Sequence, residues 1–101
     1  MYLLQDSNLF KKGLKDLQKQ GNKRGIEECK KVITKLQNNI SLEPSYKDHK
    51  LNTNKFILKD SRVCHLKFDL LLVYRKIGNI LYLDQIGNHH TLKGFVESKE
   101  I

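Results

Sequence analysis

The chain has 101 residues, enough for one domain with a single hydrophobic core and too few for a second domain. Its 19 Lys and Arg residues outnumber its 11 Asp and Glu residues, and the resulting formal net charge of +8 predicts a polyanionic partner, with nucleic acid first. No apolar run approaches the roughly 20 residues of a membrane span and no secretory leader pattern is present, so we expect a soluble intracellular protein without a membrane partner.

The N-terminal half predicts a strand followed by a helical hairpin. Residues 1–5 form a short apolar segment, and residues 6–8 after it are all favourable helix N-caps. Two apolar stripes of helical period follow, and we expect the first helix to end near Gln20, before Gly21. The short link between the stripes implies that the helices pack antiparallel. The stripes consist of Phe10, Leu14 and Leu17, and then of Ile26, Cys29, Ile33, Leu36 and Ile40.

The predicted hairpin is strongly basic. Residues 11–35 contain nine Lys or Arg against three acidic residues, which gives these cations a supporting part in attracting RNA or an acidic partner. A solvated helix face is the plain alternative. Cys29 falls in the apolar stripe, and neither it nor Cys64 has C-x-x-C spacing, so both are expected to be reduced structural thiols.

Two segments of the C-terminal half each carry one histidine. Residues 43–56 have turn formers and no clear period, which predicts a loop that contains His49. Residues 58–67 predict a strand on which Cys64 and His65 point to opposite faces, and this argues against a Cys–His nucleophilic pair. The alternation groups Val63, His65 and Lys67 on one face and Arg62, Cys64 and Leu66 on the other.

The clearest hairpin joins strands at residues 70–77 and 80–86 through the pair Gly78-Asn79, which suits a two-residue turn. Such a turn fixes the register, so alternation separates an apolar face that should cover the helices from an outward polar face. The predicted pairs are Arg75 with Tyr82, Tyr74 with Leu83, and Val73 with Asp84. The apolar face gathers Leu72, Tyr74, Leu81 and Leu83, and the polar face gathers Arg75, Tyr82 and Asp84.

His65 and Asp69 lie four residues apart where the first strand of this hairpin begins. Ionisable side chains at the rim of a rigid strand suit catalysis, because packing fixes their positions while one edge stays open to substrate. Taken alone, the pair is also typical of a surface turn between two strands.

Three ordered motifs resemble the YafQ branch of the RelE/ParE toxin superfamily. They are YKDHKL at residues 46–51, LKDSRVCHLKFDLLLVYR at residues 58–75 and IGNHHTL at residues 86–92. The resemblance implies an α+β, RelE-like fold. In this fold an N-terminal strand and an antiparallel helical hairpin pack on a C-terminal antiparallel sheet of three to four strands, in a single domain of residues 1–101.

The resemblance also implies a function. Proteins of this family are toxins of type II toxin–antitoxin modules, and we expect an endoribonuclease (mRNA interferase) that cuts mRNA in the ribosomal A site and so inhibits translation. It would need no metal and no other cofactor. Its partners would be a cognate antitoxin and mRNA on the ribosome, with contacts to ribosomal RNA, and its location the bacterial cytoplasm.

Carried over residue by residue, the family's catalytic positions fall on His49, on His65 with Asp69, and on His89. Histidine acts as base or acid near neutral pH. His49 or His65 would be the base, with Asp69 orienting an imidazole or sharing the proton transfer, and His89 the general acid; which histidine plays which role stays open. Arg62 and Lys67 would hold the scissile phosphate, and the other RNA-binding candidates are Lys47, Lys50, Arg75 and Lys93.

The chain departs from the family pattern near its C-terminal end. The aromatic residue expected four positions after the last motif's histidine is Lys93, with Phe95 two positions later, and the arginine expected ahead of that motif is Gln85. The tract after His49 is about three residues longer than usual. These departures put the rate and the sequence preference in question.

Three alternatives remain. Three histidines and an aspartate could bind zinc, although none of them has a compact ligand spacing. A catalytically degenerate toxin could still bind its antitoxin or RNA, and the missing aromatic and arginine residues favour this interpretation. A ParE-like gyrase inhibitor shares the fold but does not use these histidines.

Overall fold

A computed structural model describes residues 1–51 and 60–92 as one sheet with two helices packed on one face. The strands occur in the order β1-β5-β4-β3-β2 across the sheet. The elements are β1 (Leu3–Asp6), α1 (Asn8–Lys19), α2 (Lys23–Gln37), a 3-10 turn (Pro44–Tyr46), β2 (His49–Lys50), β3 (Arg62–His65), β4 (Leu71–Ile77) and β5 (Ile80–Gly87).

The α+β class and the predicted layers are confirmed. Strands β2 to β5 are antiparallel neighbours, as expected for the C-terminal sheet. The N-terminal strand β1 joins this sheet as a fifth strand, parallel to β5. Sequence patterns gave no sign of this pairing, because the two strands lie near opposite ends of the chain and no turn connects them directly.

The helix boundaries follow from their caps. Ser7 Oγ accepts a hydrogen bond from the Phe10 amide at 3.0 Å and so begins α1. Gly21, with a φ of 69°, follows the end of this helix, as predicted. The expectation that Ile40 extends the stripe of α2 is wrong: the helix ends at Gln37 and Ile40 is exposed. Asn39 already has a positive φ, which takes the chain off the helical path.

The β4–β5 hairpin has the predicted turn and most of the predicted register. Tyr74 pairs with Leu83, and Arg75 pairs with Tyr82. The predicted pair of Val73 with Asp84 is wrong, because the register shifts between Val73 and Tyr74 and Val73 pairs with Gln85 instead. Asp84 is therefore the extra residue of a bulge, a feature that period-two alternation cannot predict.

Each face of the sheet has its own apolar cluster. The larger cluster lies between sheet and helices and contains the four hairpin residues predicted for it, Leu72, Tyr74, Leu81 and Leu83, together with Phe10, Leu17, Cys29, Val32, Leu36, Tyr46, Cys64, Leu66, Leu70 and Ile86. The smaller cluster, on the opposite face, consists of Leu51, Val63, Leu71 and Val73 with Leu92 packed against it. The predicted division of β3 into a Cys64 face and a Val63 face is thus confirmed.

The loop expected at residues 43–56 is more ordered than predicted in its described part, since it contains the 3-10 turn and β2. The strand expected at residues 58–67 is shorter, because β3 ends at His65. The parts of these predictions that concern residues 52–59 lie outside the described residues. Within residues 1–51 and 60–92, neither helix has the length and apolarity to cross a membrane.

Candidate active site

Three histidines form a row at the end of the sheet, and we call His49, His65 and His89 the histidine row. The rings of His49 and His65 are stacked, with centroids 6.1 Å apart, and the centroids of His65 and His89 are 6.2 Å apart. His49 and His65 are partly exposed, whereas His89 is exposed. Three histidines that are distant in sequence therefore converge.

Strand register explains this convergence. His49 pairs with Val63, two residues before His65, so both histidines lie on the same face of the sheet. His65 pairs with Leu71, which pairs in turn with Gly87 at the end of β5. His89 follows two residues later.

The turn after β5 is held by a compact set of hydrogen bonds. Asn88 Oδ1 accepts from the backbone amides of His90 and Thr91 at 2.8 and 3.0 Å, and Thr91 Oγ1 accepts from the Asn88 amide at 2.9 Å. This local bonding orders the backbone on both sides of His89. An Asn placed directly after a strand is a turn signal, so the role of Asn88 could have been found from the sequence.

A hydrogen bond indicates which nitrogen carries the hydrogen in the neutral His49 ring. Nδ1 of His49 lies 2.6 Å from the carbonyl oxygen of Lys47. Because a carbonyl oxygen only accepts, Nδ1 must carry the hydrogen, and the neutral ring then has its lone pair on Nε2. Lys47 has a φ of 47°, a left-handed conformation that turns its carbonyl oxygen back toward His49.

A cleft of about 320 Å³ lies beside His65. Lys47 and Lys67, two of the predicted RNA-binding residues, lie on its lining and are exposed. Neither lysine forms an ion pair in the part of the chain that the structure describes. We call this the lysine cleft; its lining consists of Ser45, Tyr46, Lys47, His65, Leu66 and Lys67.

Buried Glu28 of α2 supports the lysine cleft from below. One carboxylate oxygen accepts a hydrogen bond from the Tyr46 hydroxyl at 3.2 Å, and the other accepts from the Lys67 amide at 3.1 Å. Burial and the neighbouring Glu28 charge raise the pKa of Tyr46. Sequence analysis missed Glu28, although its spacing of four from Val32 places it on the buried face of the helix.

Arg62 does not join the histidine row. It lies on the face of β3 opposite to His65, where its Nε is 3.3 Å from Asp48 Oδ1 and 3.3 Å from the Tyr74 hydroxyl. The Tyr74 hydroxyl donates to the same Asp48 oxygen at 2.6 Å. We call Asp48, Arg62 and Tyr74 the Asp48 cluster. Lys50 pairs with Arg62 across the strands and therefore shares this face.

The Asp48 cluster shifts the pKa values of its members. Burial and the hydrogen bond to Asp48 raise the pKa of the Tyr74 phenol. Burial opposes the charge of Arg62, but the hydrogen bond with Tyr74 and the negative charge of Asp48 outweigh it and raise the pKa of the guanidinium. The cluster therefore holds one carboxylate, one cation and one neutral phenol.

Asp69 also lies apart from the histidines. It is an exposed residue in a left-handed conformation, with a φ of 58°, and it lines a groove between α1 and the strand ends together with His90. Within residues 1–51 and 60–92, its carboxylate forms no hydrogen bond or ion pair. The structure does not place it in hydrogen-bond contact with His65.

Arg75 is already paired. Its Nε and Nη2 donate to the two carboxylate oxygens of Asp84 at 2.8 and 3.2 Å, and its guanidinium carbon lies 4.4 Å from the centre of the Tyr82 ring. The cation, phenol and carboxylate predicted for this face do gather, but as a largely buried ion pair. Lys93 and Phe95 lie outside the described residues.

The two cysteines are buried free thiols. Burial raises the pKa of Cys29 to about 12 and also raises the pKa of Cys64, so both thiols stay protonated near neutral pH. Within residues 1–51 and 60–92, no group of three or more His, Cys, Asp or Glu side chains is arranged to hold a metal ion.

Comparison with solved structures supports the resemblance seen in the sequence. The Escherichia coli DinJ–YafQ complex matches with a TM-score of 0.79 and 29% identity, over 93% of this chain and 100% of that chain. A copper-bound mutant toxin from Helicobacter pylori matches with a TM-score of 0.80 and 30% identity, over 91% and 99%. A conserved hypothetical protein from H. pylori, solved in solution, is 41% identical with a TM-score of 0.67, over 89% and 97%.

The family assignment follows from the sequence itself. No curated protein matches the chain significantly. Residues 2–94, however, match the family described as the bacterial toxin of the type II toxin–antitoxin system, YafQ. The chain therefore belongs to the YafQ family of bacterial toxins.

Proposed function

We propose that this toxin is a metal-independent, ribosome-dependent endoribonuclease that cuts mRNA in the bacterial cytoplasm and so stops translation. The observation that carries the proposal is the histidine row beside the lysine cleft. RNA can be cleaved without metal when the 2'-hydroxyl is deprotonated, the phosphate charge is stabilised and the 5'-oxygen leaving group is protonated. The row and the cleft supply groups for all three tasks.

The order of the row fits in-line displacement. The attacking and leaving oxygens lie on opposite sides of the phosphorus atom, so the base and the acid must also lie on opposite sides. In the strand order, His49 on β2 and His89 after β5 lie on opposite sides of β3, which carries His65. His49 is the base in this assignment because its Nδ1 hydrogen is held by Lys47, which leaves Nε2 able to accept a proton.

His89 is then the general acid, and His65 stands where the phosphate charge develops. Lys47 and Lys67 line the cleft next to His65, where their ammonium groups stabilise a bound phosphate. The proton-transfer role considered for Asp69 requires its carboxylate to approach His65 when RNA binds.

Other cations contribute at longer range. Lys93 adds to the field that attracts RNA, and Lys50 and Arg75 contribute with charges reduced by their partners, Asp60 and Asp84. Because the chain belongs to a toxin–antitoxin family, a cognate antitoxin is its expected partner. We propose that an acidic or amphipathic antitoxin segment covers the basic face, so that the complex weakens as salt increases.

One feature favours a second candidate, a catalytically degenerate toxin that acts only as an antitoxin- or RNA-binding module. Gln85 stands at the position where the family pattern has an arginine, and it is buried. If that arginine is required for cleavage, the chain binds without cutting.

Mapping of mRNA 5' ends after brief induction in bacteria separates these candidates. We expect new cuts within translated frames for the wild-type chain and none for His89→Ala. Growth arrest without cuts would refute the nuclease, and the absence of both arrest and cuts would favour the binding module. Cleavage by the purified toxin on ribosomes kept intact by excess Mg²⁺ should be unchanged by a chelator selective for transition metals such as zinc; loss of cleavage under these conditions would contradict the metal-independent mechanism.

A further inference from the structure

In the Asp48 cluster, two side chains bond to the same oxygen of Asp48, and one of them is buried. Tyr74, which lies in the main core and is almost fully buried, donates to Asp48 Oδ1 at 2.6 Å, and Arg62 Nε reaches the same oxygen. Exposed ion pairs contribute little on their own, but a hydrogen bond from a buried phenol fixes the position of the carboxylate. The Asp48 side chain is therefore anchored to the centre of the sheet.

This anchor lies within the turn that sets the His49 ring. Asp48 is the residue between Lys47, whose carbonyl oxygen accepts from the ring, and His49 itself. On one face of the sheet the Asp48 carboxylate is held by Arg62 of β3 and Tyr74 of β4, and on the other face His49 stacks against His65. Movement of Asp48 would change both the Lys47 carbonyl direction and the start of β2.

We propose that the Asp48 cluster is the positioning device for His49, and that Arg62 acts through this device instead of holding the scissile phosphate. The cluster keeps the left-handed conformation of Lys47, and thereby keeps the hydrogen on Nδ1 and the lone pair on Nε2. This inference rests on the proposed function where it concerns catalysis. Its structural part, the protonation of His49, can be measured without any RNA.

The first test is the position of the hydrogen on neutral His49. Long-range ¹H–¹⁵N correlation spectra of the ¹⁵N-histidine-labelled protein should show His49 with the hydrogen on Nδ1. In Tyr74→Phe, which keeps the ring in the core and removes only the hydroxyl, we expect a shift toward the Nε2-protonated form. Tyr2→Phe is the matched control, because the Tyr2 hydroxyl forms no hydrogen bond within the described residues, and its spectrum should equal that of the wild type.

The second test separates positioning from phosphate binding in the cleavage reaction. We expect Tyr74→Phe and Arg62→Gln to lower kcat, by up to about 100-fold, with KM for the ribosomal substrate little changed. Asp48→Asn keeps an oxygen that can accept from Tyr74, so it should retain more activity than Asp48→Ala. Circular dichroism and thermal midpoints identify any variant that has lost its fold.

The outcomes distinguish this inference from the proposed function. If Arg62→Gln raises KM and reduces its salt dependence while the His49 spectrum stays unchanged, Arg62 binds phosphate and the positioning role is refuted. A Tyr74→Phe protein with unchanged His49 protonation also refutes it. If the wild-type chain does not cut RNA but the hydrogen of His49 still moves toward Nε2 in Tyr74→Phe, the positioning role of the Asp48 cluster is supported and only the proposed nuclease activity is refuted.

Discussion

The covered face of the sheet lies under the helices and carries Cys64, whereas the opposite, open face carries His65, and these adjacent residues of β3 have opposite environments. His65 is partly exposed, lies in the histidine row and lines the lysine cleft. Cys64 is fully buried under the helices, and its pKa is raised by burial. One step along the strand therefore separates a partly exposed histidine from a fully buried thiol.

The side chains of the histidine row and the lysine cleft depend on support from the other side of the sheet. The cleft and the histidine row consist largely of partly or fully exposed side chains, which have few packing neighbours to fix them. Hydrogen bonds to buried polar groups on the helix side fix them instead. Glu28 accepts from the Tyr46 hydroxyl and from the Lys67 amide in the lining of the lysine cleft, and Tyr74 donates to Asp48. Changes to these exposed side chains should therefore affect activity alone, whereas changes to Glu28 and Tyr74 should affect stability as well.

The largest expected effect is on the open face. His89→Ala should lower ribosome-dependent cleavage by about 10²- to 10⁴-fold, the usual contribution of a general acid, with an unchanged thermal midpoint because the side chain is exposed. His90→Ala is a matched control: this histidine is also exposed and is adjacent in the chain, but it lines the groove beside α1. Equal losses in the two variants, measured by primer extension, would contradict the assignment.

A second prediction concerns the covered face, where activity and stability should change together. Glu28→Ala leaves the Tyr46 hydroxyl and the Lys67 amide without their acceptor, which should lower the free energy of unfolding by about 1–3 kcal/mol. Glu28→Ala should also reduce cleavage, because Tyr46 and Lys67 in the lining of the lysine cleft lose their hydrogen bonds to Glu28. Urea denaturation measures the first effect.

Two further variants sharpen this test. Glu28→Gln keeps one acceptor oxygen and should lose less stability than Glu28→Ala. Glu27→Ala, on the exposed side of the same helix, should be close to wild type. If Glu28→Ala were as stable and as active as Glu27→Ala, the supporting role of the carboxylate would be wrong.

A smaller effect is expected from the lysines of the cleft. Lys47→Ala and Lys67→Ala should each weaken RNA binding several-fold and should make the logarithmic salt dependence less steep by about 0.7, the value for one phosphate contact to single-stranded nucleic acid. Lys19→Ala, at the end of α1, is the control for a general loss of positive charge. An equal change of slope in the control would indicate a diffuse field instead of a phosphate site.

Much of the fold was readable from local signals. The caps and apolar stripes predicted both helices, and Gly78-Asn79 predicted the hairpin and most of its register. The bulge at Asp84 and the parallel pairing of β1 were not readable, because the first is a one-residue irregularity and the second joins distant segments. Neither leaves a periodic pattern in the sequence.

The candidate site was predictable only where it depends on alternation within a single strand. Alternation along β3 places His65 and Arg62 on opposite faces of the strand, and only the family resemblance grouped them at one phosphate. The structure keeps them apart, since Arg62 contacts Asp48 and Tyr74. The supporting roles of Glu28 and Asp48 depend on contacts between separate elements, which spacing within one element cannot show.

The last expected effect, confined to alkaline pH, tests the covered face through its thiols. The pKa of Cys29 rises from 9.0 to about 12 on folding, so above pH 9 the unfolded chain releases a proton that the folded chain retains. The unfolded state is then favoured, and the free energy of unfolding should fall as pH rises from 9 toward 12, by at most about 1.4 kcal/mol per pH unit from this group. Urea denaturation at several pH values should show this fall, and Cys29→Ala should make it shallower although it lowers the overall stability. An unchanged slope in Cys29→Ala would mean that the thiol ionises as readily in the fold as in the unfolded chain, and the contrast between the two faces of the sheet would then not extend to its buried side.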